Sequence, residues 1–170
     1  MVSTSNTPDQ IETPLMARLA QLAIKTTIHR HPAVYTVEES RTLRGDLLGV
    51  HIKNLFVRVK KRNFWLITVL EERQLDLKAL KDRLDANGNL SFTSGEYLHE
   101  ILGVEAGAVT PQAVMNDKQG TVKAVLDSAI AKADLVNVHP LHNKATLSIP
   151  PADLVRFMED CGHKPVFMSL

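Results

Sequence analysis

Residues 51–69, HIKNLFVRVKKRNFWLITV, decide how this chain folds. Two apolar, β-branched and aromatic runs flank the basic cluster KKRN at 60–63, the pattern of two strands joined as one hairpin. The first strand opens on Ile52, Lys53, Asn54 and Leu55, so a lysine and an asparagine stand where the chain should be entering a core.

Outward from this hairpin, helix and strand signals alternate along the chain. Thr13 stands at an N-cap position and Pro14 at the first helical position, while Leu15, Leu19 and Leu22 recur on one face. These predict a helix over 13–24. A β-like run, TTIHRH at 26–31, closes at Pro32. In TVEESRTLRGDL (36–47), Thr36 and Glu39 have capping-box spacing and Gly45 ends the helix. Asp76 caps a helix over 77–84, with Leu77, Leu80 and Leu84 along one side. NLSF at 89–92 reads as a strand, and Ser94 starts a short helix that ends near Gly103. AVMND (113–117) and TVKAVLD (121–127) read as a second hairpin across NDKQG. VNVHPLHN (136–143) and ATLSI (145–149) are further β-like segments. A helix from Pro151 to Cys161 follows, then its stop at Gly162 and a last strand in KPVFMSL (164–170). About seven strands and five helices in this order predict an α/β fold of the α+β type, a mixed, largely antiparallel sheet with helices packed on it.

A chain of 170 residues, 44% hydrophobic and 23% charged, is long enough for one domain with a sizeable core. Residues 1–12 are expected to be a flexible N-terminus and 13–170 a single domain. The formal net charge is +1, so no global field draws the protein to nucleic acid or membrane, and RNA contact must come from a local patch. The one cysteine, Cys161, excludes an intramolecular disulfide. No apolar run approaches the ~18 residues of a spanning helix, and MVSTSNTPDQ has neither the basic start nor the apolar centre of a secretion signal. A cytoplasmic protein with no membrane partner is expected.

Chemistry emerges by elimination. GVEAG at 103–107 lacks the Gly-Lys-Ser/Thr of a phosphate loop, and no G-x-S-x-G elbow occurs. Cys161 reads as packing. His29 and His31 share one face of a strand, and His139 lies near His142, but nothing supplies the three or four converging ligands of a metal site. Neither metal nor cofactor is expected. Glu71 and Glu72 read as a solvated face. So do Lys60, Lys61 and Arg62, with contact to RNA phosphates as the functional alternative. Two features survive. Lys53-Asn54 is either a solvated strand end or a pair held at the mouth of a site. Gly107-Ala108-Val109-Thr110-Pro111 is either a plain connection or a loop that aims backbone N–H groups at a carbonyl or oxyanion.

KNLF at 53–56, GAVTP at 107–111, VNVHPL at 136–141 and NKAT at 143–146 occur together in this order. That combination resembles the YbaK/prolyl-tRNA-synthetase-associated editing family, and within it the freestanding prolyl-tRNA editing proteins that deacylate alanyl-tRNA(Pro). HPAVYTVEES, DLKALKDRL and PADLVRFMEDCGHKPVF extend the likeness over nearly the whole chain from about residue 13. The G-x-x-x-P loop alone is common; the set of four is specific.

The resemblance implies a YbaK-like editing fold with its site in a pocket on the sheet. It places Lys53 in the catalytic pocket, near the terminal adenosine or the ester. It gives Gly107, Ala108, Val109 and Thr110 the role of presenting amides to the ester carbonyl. Asn54, Pro111, Asn137, His139 and Thr146 fall to substrate binding. Glu105-Ala106 departs from the Thr-Pro common in related editing proteins, adding a charge near the mouth. The implied reaction is hydrolysis of a mischarged tRNA(Pro), with the terminal ribose hydroxyl helping the water. His139 is the alternative base, since an imidazole pKa near 6.5 suits the task. A transient partner would be prolyl-tRNA synthetase, whose proline pocket cannot firmly exclude alanine. The oligomeric state stays open. Alternative readings are a deacylase for another ester such as Cys-tRNA(Pro), or a non-catalytic tRNA-binding or regulatory module.

Overall fold

The computed structural model describes residues 6–170. Among these, eight strands form one mixed sheet: β1 (Thr27–Arg30), β2 (Val50–Val59), β3 (Asn63–Leu70), β4 (Ser91–Phe92), β5 (Val122–Asp127), β6 (Val136–Val138), β7 (Ala145–Ile149) and β8 (Val166–Met168). Their order is β1-β7-β6-β2-β3-β5-β8, with β4 added to β2. The predicted hairpin is its centre. β2 and β3 run antiparallel from Ile52 opposite Leu70 to Val59 opposite Asn63, turning through residues 60–62.

β3 is apolar along its length because both faces of the sheet are covered. On one face Phe56, Phe64, Leu66 and Leu126 pack with Leu15 and Leu19 of α1 (Pro8–Gln21) and with Leu154 and Phe157 of α4 (Pro151–Asp160). Phe56 and Phe64 stack there at 5.3 Å. On the other face Val57, Val59, Trp65, Ile67 and Val69 pack with Leu80 of α3 (Leu77–Arg83). Each such side chain, fully buried, contributes roughly 1.5–3 kcal/mol.

Two local expectations are corrected. The first helix starts at Pro8, not Thr13. Thr7 and Gln10 form a complete capping box with Pro8 at the first position, and Pro14 is carried inside the helix. Residues 8–12 are therefore helical, and residues 1–5 lie outside the described range. Nor is there a second hairpin at 113–127. Residues Pro111–Asn116 wind as a 3-10 helix, with the Ala113 N–H donating to the Thr110 carbonyl. Residues 111–115 are all buried, so the segment has no alternating face to offer a partner strand. Asp117 then ends it by accepting from the Val122 N–H and the Thr121 hydroxyl.

Two irregularities position the site. β6 pairs with β2 only at Val50 and His51 and then diverges, while β4 joins the same edge of β2 at Val57. The edge between is open. Beside it lies α2 (Val37–Arg44), a helix that buries none of its own residues. Its start is fixed by the predicted capping box, Thr36 with Glu39. Its last turn is fixed by Glu71, which accepts from Arg41 and twice from Arg44 at 2.8–3.1 Å. Glu71 is 8% exposed, not part of a solvated face.

Candidate functional site

The divergence of β6 from β2 leaves a cavity of about 210 Å³. His51, Ile52, Lys53 and Asn54 of β2 line one side, and Asn137, Val138 and His139 with Thr146 another. Gly107 and Val109 close the third, and Val34 to Val37 with Ser40 form the rim. Of the ten residues expected at a site, the fold brings seven to this wall: Lys53, Asn54, Gly107, Val109, Asn137, His139 and Thr146. Ala108, Thr110 and Pro111 are buried behind it.

Lys53 is half-buried and reaches the cavity as a cation. The carboxylate in that wall, Glu71, is taken up by Arg41 and Arg44, and no ion pair to Lys53 occurs among the described residues. Burial pushes the Glu71 carboxyl up, but the two guanidiniums outweigh it and hold the group below its ordinary value.

Asn54 and Asn137 line the cavity with their polar atoms already committed. Asn54 donates to the Val109 carbonyl at 2.9 Å and accepts from the Thr68 hydroxyl at 2.7 Å. It ties the 107–111 loop to the hairpin. Asn137 donates to the Leu48 and Val50 carbonyls and accepts from Ser148 at 2.6 Å, pinning β6 beside the start of β2. Both act as clamps that set the shape of the wall.

The loop is a tight turn, with the Ala108 N–H donating to the Glu105 carbonyl at 3.0 Å. That amide is used, and Pro111 has none. Thr110 is fully buried. Gly107 and Val109 remain, both facing the cavity and neither N–H partnered among the described residues. Gly107 has φ +87°, a conformation L side chains rarely adopt, and a Cβ there would lie 3.3 Å from Tyr35 Cδ1.

His139 Nδ1 lies 3.2 Å from the Ala145 carbonyl, which assigns the proton to Nδ1 and leaves the Nε2 lone pair free. Burial lowers its pKa, the hydrogen bond to the Ala145 carbonyl opposes this, and the neighbouring His31 and His142 lower it further, so the ring is held below its ordinary value. His31, not expected at a site, positions Thr146: its Nδ1 sits 2.8 Å from the Pro32 carbonyl and its Nε2 2.9 Å from Thr146 Oγ1. Behind them His142 Nε2 meets Glu12 at 2.7 Å, and Arg30 bonds the same carboxylate at 2.5 Å, locking α1 to the histidine loop. Among the described residues no three His, Cys, Asp or Glu side chains converge as metal ligands.

Sequence reading missed Tyr35, His31, Arg44 and Glu71. Arg41 and Arg44, one turn apart, are the only local hint of a shared acid; its position 27 residues from Arg44 is set by the fold.

A mixed sheet split at β2 gathers a lysine, a glycine turn and a histidine around one small cavity in an α/β domain. Residues 31–157 match the aminoacyl-tRNA editing domain, and the chain belongs to that family. The prolyl-tRNA synthetase associated domain-containing protein 1 of Bos taurus is 40% identical over 164 residues, covering 94% of this chain and 95% of that protein. The prolyl-tRNA editing protein ProX of Acetoanaerobium sticklandii is 33% identical over 150 residues, covering 88% and 91%. A solved structure described as a candidate trans-editing enzyme for prolyl-tRNA synthetase superposes with TM-score 0.70 at 20% identity, over 96% of this chain and 98% of that one. At that identity it shows the shared fold.

Proposed function

We propose that this protein hydrolyses the ester of mischarged alanyl-tRNA(Pro), acting in trans as an aminoacyl-tRNA deacylase. The observation that carries this reading is the convergence of Lys53, the Gly107–Val109 turn, His139 and Thr146 on one cavity from segments distant in sequence. The relatives named for prolyl-tRNA editing and for prolyl-tRNA synthetase support tRNA(Pro) as the carrier.

In this reading the RNA 3′ end enters over the rim, with its ester carbonyl toward the turn. Water adds to the carbonyl carbon, the bond to the ribose oxygen breaks, and a proton passes to that oxygen. The Gly107 and Val109 N–H groups stabilise the oxyanion, each such donor being worth roughly 3 kcal/mol in other enzymes. Lys53 places an uncompensated cation beside the same developing charge. The ribose hydroxyl next to the ester assists the water, and His139 Nε2 holds it by accepting its hydrogen bond. Val34, Ile52 and Val138 give the cavity an apolar side for a methyl group. Rejecting prolyl by size is the second sieve that a proline-activating pocket needs.

The test is amino-acid release from Ala-tRNA(Pro), beside Cys-, Ser- and Pro-tRNA(Pro) and Ala-tRNA(Ala). Loss of alanine from tRNA(Pro) alone is expected. Preference for the cysteinyl ester would reassign the substrate, and binding without turnover would leave a tRNA-binding module. A second reading, His139 as general base, draws on its lowered pKa and free Nε2. Turnover of a substrate lacking the adjacent ribose hydroxyl at an undiminished rate would favour it.

A further inference from the structure

Tyr35 stands at the rim of the cavity with 69% of its surface exposed, an unusual place for an aromatic ring. Its backbone is fixed from both sides. The Tyr35 and Thr36 N–H groups donate to the Glu39 carboxylate at 2.7 and 3.2 Å. The preceding Val34 exchanges hydrogen bonds with Asn143, its N–H donating to the Asn143 carbonyl at 3.2 Å and its carbonyl accepting from Nδ2 at 2.8 Å. A flexible loop would let an exposed ring fold down onto apolar surface; this root holds it at the mouth. The ring edge lies against Gly107, where a Cβ would approach Cδ1 to 3.3 Å. So the ring stands immediately outside the turn that faces the ester.

From this geometry we infer that Tyr35 is the stacking platform for the terminal base of the RNA 3′ end, a positioning residue for the reaction. This rests on the deacylase reading above. A carbonyl held at Gly107 and Val109 puts the ribose at the rim and the base one sugar further out, where the ring is. Aromatic rings stack on any nucleobase, because every base has a π face. The platform therefore demands a base without selecting which one.

The test uses equilibrium binding of a short RNA ending in a 3′-alanylamide, a non-hydrolysable mimic, to the full chain, with deacylation kinetics of Ala-tRNA(Pro) alongside. Tyr35→Ala should weaken binding roughly 5- to 150-fold, the range for loss of one stacked base. In kinetics the loss should fall on KM, with kcat little changed. Tyr35→Phe, which keeps the ring, should behave as wild type. Exchanging the terminal adenine for another base should change wild-type binding little, whereas an abasic terminal nucleotide should weaken it as much as Tyr35→Ala does. The two losses should not add, the mark of groups that touch. Additive losses, a Phe variant as weak as the Ala variant, or a kcat loss at unchanged KM would overturn the platform while leaving the deacylase reading intact. A wild-type protein that neither binds the mimic nor releases alanine would overturn both.

Discussion

Lys53 and Asn54 are adjacent in sequence and opposite in role. Both are visible as anomalies in an apolar strand, but only the tertiary structure shows that Asn54 commits its amide to Val109 and Thr68 while Lys53 has no carboxylate partner among the described residues. A clamp and a free cation carry different consequences. Lys53→Ala should fold normally, since no ion pair is lost, and should reduce deacylation by roughly 100-fold, the scale of removing one electrostatic partner from a developing oxyanion. Melting temperature and turnover measured on the same preparation decide it. A variant that melts early, with activity falling in proportion, would make Lys53 a structural residue. Asn137 was legible only through the family resemblance of 136–141, as a substrate-binding residue; its clamp to Leu48 and Val50 was not, because those partners are 89 and 87 positions away.

At the scale of elements, the 107–111 loop and α2 are each held by few contacts. The loop depends on positive φ at Gly107 and on the Ala108–Glu105 turn. Gly107→Val adds a β-branched side chain at φ +87° and drives it into Tyr35. Turnover should fall at least 10-fold with a stability loss of about 1–3 kcal/mol. Wild-type kinetics in that variant would remove the loop from the mechanism. α2 buries nothing, so its attachment rests on its cap and on Glu71. Glu71→Ala leaves Arg41 and Arg44 without their acceptor and should destabilise the fold by about 1–2 kcal/mol, a figure reduced by the exposure of Arg41. Amide hydrogen exchange should accelerate over residues 37–44 before any other helix; uniform exchange across the chain would show that α2 is anchored elsewhere. The cap of α2 was readable because Thr36 and Glu39 are three residues apart. Its far anchor was not, since an acid at the end of a strand looks solvated until a helix is laid over it.

Across the whole molecule, buried carboxylates and His139 make stability fall on acidification. Burial pushes Glu12, Glu71 and Asp117 up, but hydrogen bonds and charges from Arg30 and His142, from Arg44 and Arg41, and from His163 with the Val122 and Thr121 amides hold each below its ordinary value. Depressed carboxyl values in the folded state give stability that is complete above the ordinary values of 4.5 and 3.8 and is lost as pH falls through the lowered ones. His139, lowered by burial from 6.5, adds to this: below 6.5 the unfolded chain takes up the proton first. The melting temperature should therefore be flat near neutrality, begin to fall below about 6.5, and fall steeply below about 4.5. A melting temperature that rises on acidification would contradict these pairings. Local chemistry, present wherever residues a few positions apart suffice, was determined by the sequence alone: the central hairpin, the caps of α2 and α3, the mixed α/β class and the four motifs at 53–56, 107–111, 136–141 and 143–146. Only the tertiary structure decided that β6 parts from β2 after His51, that Gly107 and Val109 keep the free amides, and that Tyr35 and the Glu71–arginine anchor frame the mouth. The physical reason is separation along the chain. Those features depend on partners brought together from tens of residues away, and no local pattern encodes which of them will meet.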